Sequence, residues 1–119
     1  MDDHVVRRHG RVERSGSDGE GPTMYLGALE LDILLGDVHS LKGKRSLIRP
    51  VLAELRRLGV SASETGDQDL HRRTKLGVAV AAPDLAHVRE ILDKCENLAA
   101  DRPELELLST RRRVFGPED

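Results

Sequence analysis

A chain of 119 residues with 38% apolar content allows one domain with a modest core and excludes two full domains. Its net charge of -2 excludes a whole-chain field of the kind that attracts polyanions, so only local clusters of Lys and Arg are left for nucleic acid. Tyr25 and Phe115 are the only aromatic residues and Cys95 is the only cysteine, so no internal disulfide can form.

Residues 1–23, "MDDHVVRRHGRVERSGSDGEGPT", hold four Arg, five acidic residues and four Gly, with Val5, Val6 and Val12 as buriable side chains. Such a stretch buries too little surface to offset its ordering entropy, and a disordered N-terminal extension is expected. Arg7, Arg8, Arg11 and Arg14 suggest an RNA-binding patch, but the interspersed acids favour a solvated tail. Met24 reads as the functional start of a single domain over 24–115, followed by a polar end at 116–119.

From residue 25 the periodicities alternate. Tyr25, Leu29, Leu31, Ile33 and Leu35 fall on one side of a strand, with Glu30 and Asp32 on the other. Ser40 is placed to cap a helix in which Leu41, Ile48, Val51, Leu52, Leu55 and Leu58 recur at helical spacing. Pro50 either kinks that helix or marks its first true turn, and Gly59 suits its stop. "VSASET" (60–65) is a weak second strand. "TKLGVAVAA" (74–82) is a clear third, with Leu76, Val78 and Val80 inward. Pro83 and Asp84 open a second helix with an apolar stripe of Val88, Ile91, Leu92, Cys95, Leu98 and Ala99. Residues 104–115 form a fourth strand with Leu105 and Leu107 inward, which turns Arg112 to the open face.

The order βαββαβ is that of an α+β, ferredoxin-like split βαβ fold. Two helices then cover one face of a four-stranded antiparallel sheet. Right-handed crossovers put the first and third strands in the centre. No apolar run reaches the ~20 residues of a membrane span, and no apolar signal segment opens the chain, so a cytoplasmic protein without membrane contact is expected.

"HSLKGKR" ahead of the first helix, and "ETGDQD" followed by "LGVAV", occur in order at a set separation. With "HVREILDKCENL", they make residues 24–114 resemble the bacterial YlxP-type family, domain of unknown function 503. The resemblance implies a ferredoxin-like fold and no established reaction. Genes of that family commonly neighbour those for translation factors and ribosome maturation, which implies ribosomal RNA or a ribosome-associated protein as a partner. His71 stands where the family pattern has an aromatic such as Trp, and the N-terminal extension lies outside the pattern.

Three segments carry candidate chemistry. "ETGDQDLHRRTKLG" (64–77) places Glu64, Gly66, Asp67 and Asp69 in a hairpin. Gly66, Asp67 and Asp69 suit a turn that needs positive φ and Asx bonds. The D-x-D-x-H spacing lacks the rest of a calcium loop, and zinc would need more His or Cys, so no metal is assigned. Alternation turns Glu64 toward the helices, where a carboxylate needs a partner, and Arg72 or Arg73 is the one expected. "SLKGKRS" (40–46) gathers Lys42, Lys44 and Arg45 at a helix N-terminus, where amides already favour anions. The alternative is a solvated helix end paired with Asp37 or Glu54. "TRRRVF" (110–115) offers Arg112 either to Glu30 or Asp32 or to a phosphate. The candidate RNA contacts are therefore Lys42, Lys44, Arg45, Arg72 and Arg73.

No nucleophile–base pair stands out, so no catalytic residue and no cofactor is assigned. The first and third strands show Leu26, Ala28, Glu30, Asp32, Leu34, Lys75, Gly77, Ala79 and Ala81 on the open face, with no aromatic among them. That face suits protein packing or a second copy better than base stacking. The reading is a non-enzymatic protein that holds RNA or ribosomes by phosphate contacts. A homo-oligomeric interaction module is the alternative, and a metal-dependent enzyme at 64–73 comes last.

Overall fold

The structure, a computed structural model, describes residues 21–119 in full and, before them, the backbone of two short strands. These are β1 (Val5–Arg8) and β2 (Arg11–Arg14), paired antiparallel from Val5↔Arg14 to Arg8↔Arg11. The expected disordered extension also covers residues 1–4, 9–10 and 15–20, which lie outside the described residues.

β3 (Tyr25–Leu35) alternates as its sequence dictates, with Leu29, Leu31, Ile33 and Leu35 buried. α1 (Leu41–Arg56) starts where the Ser40 hydroxyl accepts the Gly43 N–H at 3.0 Å. It runs on through Pro50, which sits exposed on its outer side. After the helix, Gly59 turns the chain with φ +85°, where a side chain would be strained. β4 (Ser61–Gly66) and β5 (Arg73–Ala82) form the second hairpin. α2 (Leu85–Ala100) is capped by the Asp84 carboxylate, which accepts the His87 N–H at 2.8 Å. β6 (Leu105–Phe115) closes the sheet.

The sheet order is β4-β5-β3-β6, all pairs antiparallel, with the two helices on one face. This is the split βαβ arrangement expected from the element order. Ile48, Val51 and Leu55 of α1 and Val88, Leu92, Cys95 and Ala99 of α2 close the core against the inward faces of β3 and β5. Gly27 sets how near α2 can lie. A Cβ there would meet Val88 Cγ1 at 2.6 Å and Leu92 Cδ1 at 2.9 Å. Burial raises the Cys95 thiol above its ordinary range, against a smaller lowering from Arg112. Among the described residues, no helix is long and apolar enough to cross a membrane.

The fourth strand corrects the sequence reading. Asp32 pairs with Ser109 but Ile33 pairs with Leu107, so Leu108 is an extra residue in β6 and lies 43% exposed. A bulge of this kind reverses the alternation beyond it. Arg112 therefore faces the helices. Its guanidinium donates to Asp93 at 2.9 Å and to Glu96 at 3.2 Å, both on α2. Arg111, Arg113 and Phe115 take the open face instead.

Candidate functional site

Lys44 occupies the inward stripe of α1, one turn before Ile48. Only 1% of it is exposed. Its stem crosses the core margin, and its ammonium ends under the 66–73 turn. Nζ donates to the Asp67 carbonyl at 2.6 Å and the Leu70 carbonyl at 2.6 Å. It also meets Glu64 Oε2 at 2.8 Å, while the Gln68 carbonyl stands off at 3.4 Å. Three short partners match the three donors of an ammonium. Lys44 is thus withdrawn from the candidate RNA contacts: its charge is spent inside the protein.

Glu64 does point toward the helices, as alternation requires, but its partners are Lys44 and the Thr74 hydroxyl at 2.7 Å. Arg72 and Arg73 are engaged elsewhere. Arg72 Nε donates to the Gly36 carbonyl at 3.1 Å and the Leu35 carbonyl at 3.3 Å, tying the turn to the end of β3. Arg73 lies on the open face and grips Asp32 at 2.9 and 3.0 Å. That hydrogen bond, with the accompanying charge attraction, raises the Arg73 pKa. Lys44 and Thr74 are the buried polar side chains of the described residues, and one carboxylate serves both. The helical spacing of Lys44 to Ile48 and Val51 was the available signal for this pair.

The turn also differs in detail. Asp67, not Gly66, takes positive φ, at 57°. Gly66 instead follows the β4 irregularity at Thr65, with Lys75 packed close: an added Cβ would meet Lys75 Cδ at 2.9 Å. Asp69 and His71 are exposed. Among the described residues, no three of His, Cys, Asp and Glu gather as metal ligands.

At the α1 N-terminus Lys42 and Arg45 are exposed, and Arg49 continues their face one turn on. Among the described residues none of the three is in an ion pair. The acids proposed as their partners are taken: Asp37 by His39 at 2.7 Å, and Glu54 by Arg102, which also holds Glu104 at 3.0 Å. Arg49 was not singled out in the sequence, although it stands four residues after Arg45.

The open sheet face carries a groove of about 520 Å³. Ala28 and Ala79 floor it, Ser61, Ser63 and Thr65 line the β4 side, and Arg111, Arg113 and Phe115 line the β6 side. The Thr65 hydroxyl donates to Glu30 Oε2 at 3.0 Å. The groove runs into an apolar depression of about 330 Å³ between Leu26, Ala81 and Phe115. The central strands supply no aromatic, as read from the sequence, but β6 brings one.

Residues 26–112 match the model of the family described as "Protein of unknown function (DUF503)". The chain is also 30% identical to the "Uncharacterized protein YlxP" of Bacillus subtilis (strain 168) over 91 residues, which is 76% of this chain and 99% of that protein.

Proposed function

The chain belongs to the DUF503 family, and from that premise we propose that it is a non-enzymatic cytoplasmic protein that associates with RNA, ribosomal RNA foremost, through backbone phosphates. The observation that carries this is the outward face of α1. Lys42, Arg45 and Arg49 stand on it exposed, without ion-pair partners among the described residues. The one acid of the helix, Glu54, is held by Arg102. The positive end of the helix dipole adds to the attraction. A local patch of this kind holds phosphates even where the whole chain is slightly acidic.

Phosphate contacts of this sort show themselves by their salt dependence. Filter binding of ribosomal RNA fragments at two salt concentrations should give an affinity that falls as salt rises, with a log–log slope of about -2 for three contacts. Charge reversal of Lys42, Arg45 and Arg49 together should flatten that slope. Absent binding, or binding indifferent to salt, overturns the reading.

A further inference from the structure

We infer that the groove on the uncovered sheet face is a second RNA contact, one that takes a short single-stranded segment with phosphates on Arg111 and Arg113 and a base in the apolar depression beside Phe115. The inference rests on the reading that the protein associates with RNA, and places a distinct site on the side away from α1.

The bulge at Leu108 is what builds it. Without the extra residue, the alternation of β6 would present Arg112 alone; with it, Arg111, Arg113 and Phe115 follow one another along the open face. Among the described residues neither Arg111 nor Arg113 is in an ion pair, although Arg111 sits directly opposite Glu30 in register. The Arg113 guanidinium lies over the Phe115 ring at 5.9 Å. That puts a cation and a ring side by side, the two side-chain types on which unpaired bases settle. On the open face, Arg73, Lys75, Arg111 and Arg113 stand against Glu30, Asp32 and Glu106, and with Arg73 held by Asp32 the cations at the groove's β6 side are Arg111 and Arg113. The floor is made of Ala28 and Ala79, with the Thr65 side chain seated over Gly77, so a flat ring can approach the backbone along the two alanines. Leu26 is 40% exposed at the end of the depression. From Leu26 to Ala28 the strand covers roughly 7 Å, room for one base laid along it.

A ligand with only charge has no use for the depression, and an apolar partner has no use for the arginines. A nucleotide segment uses both. Duplex RNA hides its bases and gains nothing from the apolar half.

The test is fluorescence anisotropy with a labelled single-stranded oligouridylate of about eight nucleotides, on the full chain. Arg111→Gln with Arg113→Gln should weaken binding roughly tenfold and lower the salt slope by about 1.4. Phe115→Leu should weaken it several-fold and leave the slope unchanged, because stacking releases no counterions. Circular dichroism melts confirm folding. If the sheet variants bind like wild type while the Lys42, Arg45 and Arg49 reversal abolishes binding, the groove is no RNA site, yet the proposed function stands. If wild type binds neither the oligomer nor ribosomal RNA, both fail. If light scattering shows a dimer that Phe115→Leu dissociates, and RNA binding does not change, the face is an interface between copies and the inference falls.

Discussion

The Lys44 ammonium lies 2.8 Å from Glu64 Oε2, with 2% of the lysine side chain and 18% of the glutamate side chain exposed. The pair joins the first turn of α1 to the inner side of β4. Two carbonyls of the following turn complete the lysine's coordination. A helix, an edge strand and a hairpin turn are thereby fixed to one charge. Deep pairs of this kind are costly to break singly, since the survivor is left buried without a partner.

Lys44→Met should therefore destabilise the protein by about 3 kcal/mol, with Glu64 left unpaired. Lys44→Met combined with Glu64→Leu should recover part of that loss. Urea denaturation of the two single variants and the double variant gives the coupling directly. Additive effects would show that the pair contributes nothing as a unit.

Gly27 is set against α2 more tightly than any side chain allows. Gly27→Ala should cost about 1–3 kcal/mol by pushing Val88 and Leu92 away from the sheet. The unfolding midpoint should fall while the helix content before unfolding stays the same.

The two N-caps offer a smaller effect. Ser40→Ala and Asp84→Ala each remove the acceptor for one helix N–H, of Gly43 and His87 respectively. Each should cost about 1 kcal/mol, and the two should add, because the caps share no partner. A null effect at either site by thermal denaturation would mean water replaces the side chain without loss.

Cys95 sets a pH expectation. Its folded thiol is raised above the ordinary range by burial. Its stability contribution is then fully present below the unfolded thiol's pKa and is lost as pH rises through the folded value. Stability should drop on the alkaline side, and Cys95→Ala should weaken that drop. A thiol reagent should react with the native protein only as fast as it opens.

The order of elements from β3 onward, the caps at Ser40 and Asp84, the turn at Gly59 and the inward faces of β3, β5 and α2 were all legible in the sequence, because each depends on residues within a turn or two of one another. Even the inward direction of Glu64 followed from alternation alone. Its partner did not. The cations nearest to it along the hairpin are Arg72 and Arg73, while the one that meets it comes from a helix twenty residues earlier in the chain. Long lysine and arginine side chains reach across elements, so their destinations depend on how those elements pack. The bulge at Leu108 is the other case. Nothing in "LELLSTRRRVF" marks which residue is extra, and only the pairing with β3 decides it. One unpaired residue then reverses every side chain after it, and with that Arg112 passes to the helices and Arg111, Arg113 and Phe115 to the open face.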